Sequence, residues 1–200
     1  MEKKLRQEPL NIIRIALFGP ESTGKTTLSK QLAHYYETVW VREYAREYLQ
    51  EKWNNERKTC ELEDILPIAY GQMALENKWV KRADKVLICD TDLLETMVYS
   101  EQFYNGIADE KLRKAAINNT YDLYLLTYID TPWEADDLRD RPHQRLEMFK
   151  AFEKALIDFN KPYLLLKGNK QERLDKAIAA IDKLIQKGEN LYSYSENLKE

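Results

Sequence analysis

Residues 12–27 read IIRIALFGPESTGKTT, and the order of chemistry within them decides the fold. An apolar run, Ile12 to Phe18, reads as a buried strand and is followed at once by a glycine-bounded turn. Gly19 through Thr26 fits the pattern G-x-x-x-x-G-K-[ST], which requires a strand leading in and a helix leading out. Gly19 and Gly24 permit a tight loop, with Pro20, Glu21, Ser22 and Thr23 between them. Its backbone N–H groups then converge on phosphate oxygens at the positive end of the next helix. Lys25 is placed to reach β- and γ-phosphates, the Thr26 hydroxyl to ligate Mg²⁺, and Thr27 completes the nucleotide-binding set. The bland alternative is a glycine-containing turn that caps a helix.

Outward from this loop, apolar runs alternate with amphipathic stretches. A helix is predicted from Lys25 to Tyr36, with Leu28, Leu32 and Tyr35 on one face, then a strand over Thr38 to Arg42 and a helix over Glu43 to Glu51. Trp53 to Thr59 is polar and reads as a loop. Further helices are expected over Glu63–Arg82, Leu93–Phe103, Glu110–Asn118, Gln144–Phe159 and Arg173–Ile185. Further strands are expected over Val86–Cys89, Leu123–Ile129 and Tyr163–Leu166. This βαβα order predicts an α/β fold, a doubly wound parallel five-stranded sheet of the P-loop NTPase kind covered on both faces. Right-handed crossovers place the strand C-termini along one edge, where ligands bind in such sheets. The expected division is an N-terminal extension over 1–11, one domain over 12–187 and a polar tail over 188–200.

Two hundred residues with 44% hydrophobic and 32% charged side chains describe an ordinary globular chain. The formal net charge of −3 argues against nucleic acid as a partner, because backbone binding needs uncompensated Lys and Arg. Cys60 and Cys89 are too few for a disulfide scaffold or a Cys-rich zinc site. No stretch approaches the ~20 apolar residues of a membrane span, and Met1 to Leu10 lacks an apolar secretory segment. The cytoplasm is the expected location.

Four groups of residues fall at the predicted strand ends. Asp90, behind the apolar run Val86 to Cys89, is placed to hold Mg²⁺ directly or through water. Asp92 shares that task or faces the acceptor, and a plain helix N-cap is the alternative for either. Arg42 to Glu47 faces the acceptor across from the loop. Glu43 would accept a hydroxyl proton and Arg46 would orient substrate, against the alternative of an ordinary surface ion pair. The charged segment Asp130 to Arg141 ends at Pro142. Its region Asp136 to Pro142 reads as a lid, with Arg139, Arg141 and, beyond it, Arg145 as candidates to meet developing phosphoryl charge, against the alternative of a solvated charged helix. Asn169-Lys170-Gln171-Glu172 departs from the guanine-binding pattern N-K-x-D, so adenine is expected, held loosely around Gly168 and Asn169.

GPESTGKTTL, VREYAREYL, IAYGQ (Ile68 to Gln72), DTDLLET and TPWEADDLRDRPHQR occur in that order. Together they resemble the ribosylnicotinamide kinase domain of the NadR-type proteins of bacterial NAD synthesis, over roughly Ile12 to Ile185. The resemblance implies Mg²⁺-dependent transfer of the ATP γ-phosphoryl group to the ribose 5′-hydroxyl of nicotinamide riboside. Such proteins often carry adenylyltransferase and DNA-binding domains. Neither is expected here, since about ten residues precede the first strand and His34 and His143 cannot form H-x-G-H. Tyr rather than His precedes the Gly-Gln pair, and Trp133, Tyr44, Tyr70 and Tyr99 are the candidates to stack on the acceptor's ring. Either Glu43 or Asp92 would act as the base. Two other readings stand beside this one: a kinase of another nucleoside or metabolite, and a non-catalytic ATP-dependent switch.

Overall fold

The predicted alternation is realised in a computed structural model that describes residues 4–138 and 142–196. β1 (Ile13–Phe18) leads into α1 (Lys25–Tyr35), and β2 (Trp40–Val41) into α2 (Tyr44–Glu56) and α3 (Leu62–Trp79). β3 (Val86–Cys89) leads into α4 (Leu93–Phe103) and α5 (Glu110–Asn118), β4 (Leu123–Thr127) into α6 (Arg145–Asp158), and β5 (Tyr163–Leu166) into α7 (Lys170–Glu196). Every strand pairing is parallel and the order is β2-β3-β1-β4-β5. This is the doubly wound five-stranded α/β sheet that the sequence predicts.

The strands are apolar throughout because both faces of the sheet are covered. Successive residues of a strand point to opposite sides. Ala16 and Phe18 therefore join the core made with α3, α4, α5 and α6, while Ile15 and Leu17 join the core made with α1 and α7. On the first face Phe18 meets Tyr124 and Phe152 edge-on, with ring centroids 5.4 and 5.0 Å apart, a preferred aromatic geometry. β1 lies between β3 and β4, so the chain winds first to one side of it and then to the other. The loops that follow β1, β2 and β3 consequently meet at one edge, the position of ligands in such folds.

Three local expectations are corrected. Trp53 to Glu56 are helical, and α2 ends where Arg57 takes the left-handed conformation (φ 57°). Tyr35 is 55% exposed, and Ala33 with Ser29 completes the buried face of α1 in its place. α7 starts at Lys170, where Asn169 caps it, and continues beyond Ile185 to Glu196. Gly188 does not end it, because one glycine costs a helix only about 1 kcal/mol. Among the described residues no helix is long and apolar enough to cross a membrane.

Candidate active site

The loop between β1 and α1 is built against β4. Gly19 has φ +136°, and a Cβ there would stand 2.7 Å from Thr127 Oγ1 and 2.8 Å from the Thr127 carbonyl. Only glycine fits. Thr23 closes the loop on itself, its hydroxyl 2.7 Å from both the Pro20 carbonyl and Thr127 Oγ1. No side chain caps α1, so its first-turn N–H groups are left for an anionic ligand. Lys25 Nζ donates to the carbonyls of Gly19 (2.5 Å) and Pro20 (3.0 Å) and lies 3.2 Å from Glu95 Oε1. Burial alone would lower the Lys25 pKa, but Glu95, Glu43 and Asp90 outweigh it and raise it.

Asp90, two residues beyond Ile88 at the end of β3, is 2% exposed and accepts hydrogen bonds from Ser29 Oγ (3.0 Å) and the Thr26 hydroxyl. Burial pushes its pKa up to about 7. Glu43 adds to the rise, whereas Thr26, Lys25 and Ser29 oppose it. A buried carboxylate beside a threonine hydroxyl suits Mg²⁺, which takes one or two protein oxygens and fills its other positions with phosphate and water. Among the described residues no group of three or more His, Cys, Asp or Glu could hold a metal.

Opposite the loop, across a cleft of about 830 Å³, stands Glu43 with Arg42 and Arg46. Glu43 ends the β2 turn and precedes α2 with an extended backbone. One buried side chain holds the residues on both sides of it. Gln72 Oε1 accepts from the Tyr44 N–H (2.8 Å), and Gln72 Nε2 donates to the Arg42 carbonyl (3.3 Å). The neighbouring Gly71 leaves room for the Tyr44 ring, since a Cβ there would fall 2.0 Å from Tyr44 Cε1. The Gly-Gln pair therefore fixes the turn that carries Glu43. Arg46 pairs with Asp136 at 2.6 Å and Arg42 with Glu47 at 2.5 Å.

The AAA domain family matches residues 14–173. The chain belongs to that family. The trifunctional NAD biosynthesis/regulator protein NadR of Salmonella typhimurium is 30% identical to this AAA domain over 154 residues, 77% of this chain and 37% of that protein. A solved NadR protein in complex with NR has a TM-score of 0.71 at 24% identity, over 86% of this chain and 51% of that one. A NadR protein in complex with NAD and AMP-PNP has a TM-score of 0.69 at 25% identity, over 86% and 49%. Thymidylate kinase from Ehrlichia chaffeensis shares the fold, with a TM-score of 0.62 at 15% identity over 88% and 100%. The chain thus spans about a third of the curated relative's length and about half of the solved NadR chains. Its fold is that of the P-loop nucleoside and nucleotide kinases.

Within this AAA domain several predicted residues are drawn away from the cleft. Asp92 is 1% exposed and caps α4, accepting from the Glu95 N–H (2.9 Å) and the Tyr124 hydroxyl (2.8 Å). It faces the core, where two donors satisfy it. Tyr44 packs on Gly71 of α3, and Trp133 lies against Arg145, whose guanidinium carbon is 5.7 Å from the ring centroid. Of the candidate aromatics, Tyr99 lines the cleft. Arg145 does not reach into it. Its guanidinium donates to the Thr131 and Ser22 carbonyls at 3.0 and 3.2 Å, tying the root of the predicted lid to the loop. Arg139 and Arg141 lie outside the described residues. Asn169 spends its side-chain oxygen on the Gln171 and Glu172 N–H groups at the start of α7.

Sequence reasoning missed three residues. Gln72 and Glu95 lie inside the quoted segments IAYGQ and DTDLLET, but no spacing marks what they touch. Arg173 has no motif at all. It is 4% exposed and donates to the carbonyls of Thr23 (2.6 Å), Gly168 (2.9 Å) and Tyr128 (3.0 Å), and to Asp130.

Proposed function

We propose that the protein transfers the γ-phosphoryl group of ATP to the 5′-hydroxyl of nicotinamide riboside, giving nicotinamide mononucleotide and ADP. The observation that carries this reading is the cleft itself, lined by Lys25 and Asp90 on one side and Glu43 on the other. Lys25 and the loop amides hold the ATP phosphates. Thr26 and Asp90 would hold Mg²⁺, which would neutralise negative charge on the ATP phosphates. Glu43 takes the proton of the acceptor hydroxyl as its oxygen bonds to the γ-phosphorus, and the bond from that phosphorus to ADP breaks. Most of the rate comes from positioning and charge neutralisation, since little covalent chemistry is asked of the protein.

Two further observations support the acceptor. The relatives named above include a NadR protein in complex with NR and another with AMP-PNP. The cleft also carries six carboxylates against four cations on its walls; Arg42 pairs with one of those six, Glu47, and Arg46 with Asp136. An acceptor with a cationic pyridinium ring complements that excess, which a neutral nucleoside does not.

The test is incubation with Mg-ATP and a nucleoside panel that includes nicotinamide riboside, read by mass spectrometry. Product from nicotinamide riboside is expected. Product only from other nucleosides overturns the acceptor, and tight ATP binding without any product overturns the kinase. Lys25→Ala should abolish transfer with the fold intact, and full activity in that variant would remove the site.

A further inference from the structure

The reaction above leaves one buried carboxylate of the cleft without a task. Glu95 stands in the first turn of α4 and is 2% exposed. Its Oε1 lies 3.2 Å from Lys25 Nζ, and its Oε2 is buried with no hydrogen-bond partner among the described residues. Burial pushes the Glu95 pKa well above the usual carboxylate range, with Glu43 and Asp92 adding to the rise, and contact with the Lys25 ammonium opposes them and favours the charged form. An ammonium has three donors, and here Lys25 faces three oxygens: the Gly19 carbonyl, the Pro20 carbonyl and Glu95. A phosphate can engage Lys25 only by displacing one of them. The two carbonyls are neutral and belong to the loop that must wrap the phosphate. Glu95 is the anion of the three and comes from a different element, so it is the group that competes with a phosphate for the lysine's charge.

We propose that Glu95 is an exchangeable counter-ion of Lys25, displaced by nucleotide phosphate on binding and returned to the lysine on release. The inference rests on the reading of the loop as the nucleotide phosphate site. In the free protein the pair keeps both buried charges compensated, which a lone buried carboxylate or ammonium could not be without cost. When nucleotide arrives, the Lys25–Glu95 contact is given up, and nucleotide affinity is lower by that amount than the loop alone would provide. The same competition speeds departure of ADP, because Glu95 is positioned to reclaim the lysine as the phosphates leave.

The experiment measures MgADP binding by calorimetry and its dissociation rate by stopped flow. It compares the wild type with Glu95→Gln, Lys25→Ala and Glu47→Gln. Glu95→Gln keeps the shape and removes the charge, and should bind MgADP about tenfold tighter, within the range of ordinary coupling between sites, chiefly through slower dissociation. Glu47→Gln removes a carboxylate that lines the same cleft but pairs with Arg42, and should change affinity by less than about twofold. Glu95→Asp, which keeps the charge but draws it back from the lysine, should move in the same direction by less, and serves where Glu95→Gln does not fold. Unchanged or weaker binding in folded Glu95 variants overturns the exchange. An equal gain in Glu47→Gln does so too, because net charge would then explain the effect. Absence of MgADP binding by the wild type, or undiminished binding by Lys25→Ala, would instead show that the nucleotide reading has failed and the exchange with it.

Discussion

Replacing Asp90 with Asn should make the metal-free protein more stable at pH 8, although the same change should cripple catalysis. Asp90 is buried at the end of β3, and burial raises its pKa from 3.8 to about 7. In the unfolded chain the carboxyl loses its proton near its ordinary value, while in the folded protein it keeps the proton until about pH 7. Between those values the unfolded state binds fewer protons, so stability falls as pH rises, by about 1.4 kcal/mol per unit. Above pH 7 the cost levels off at roughly 4 kcal/mol. Asparagine cannot ionise and keeps an acceptor for Ser29 Oγ, now 3.0 Å from the carboxylate. The assay is urea unfolding of both proteins in EDTA at pH 8.0 and 5.5. Asp90→Asn should be more stable by about 4 kcal/mol at pH 8.0 and by about 2 at pH 5.5. Excess Mg²⁺ should stabilise the wild type and not the variant. A variant no more stable than wild type at pH 8.0, or an advantage that does not shrink on acidification, would refute the reasoning.

Three other outcomes follow from the same geometry. Glu43→Gln should lower kcat by about 10² to 10⁴, as loss of a general base does, while ATP binding measured by calorimetry stays near wild type. Gln72→Met, which removes the amide spanning Arg42 and Tyr44, should lower kcat with KM for ATP unchanged. In a Glu43→Gln background it should add little further loss, since a positioning residue acts only through the group it positions. Arg173→Ala should destabilise the fold by about 1–3 kcal/mol in urea unfolding, because it leaves the carbonyls of Thr23, Gly168 and Tyr128 without their guanidinium donor. Arg173→Lys should not restore that stability, since a single ammonium cannot span the carbonyls of Thr23, Gly168 and Tyr128.

Much of the candidate site could be read from the chain because its residues are local in sequence. Gly19 to Thr26 is contiguous, and a strand before it and a helix after it are enough to specify the loop. Asp90 could be located because it directly follows an apolar strand, and Glu43 because it closely follows another. The same rule placed Asp92 wrongly. Three residues past the end of β3 it faces the core, and the Tyr124 hydroxyl, from a strand remote in sequence, shows why. Tyr44 and Trp133 carry the right chemistry to stack on a ring, yet one is taken by Gly71 and the other by Arg145. An aromatic in a motif does not announce which surface it will cover.

The sequence by itself determined the α/β class, the parallel sheet and the glycine loop between the first strand and the first helix, since strand alternation, helical periodicity and a glycine-bounded turn are short-range properties of neighbouring residues. The tertiary structure decided which side chains meet across the cleft. Gln72 reaches Tyr44 from 28 residues away and Arg173 reaches Thr23 from 150, while Glu95 finds Lys25 only because β3 pairs with β1 and brings α4 against the loop. Such contacts depend on how the elements pack, and packing is set by the whole core rather than by any stretch that a motif can span.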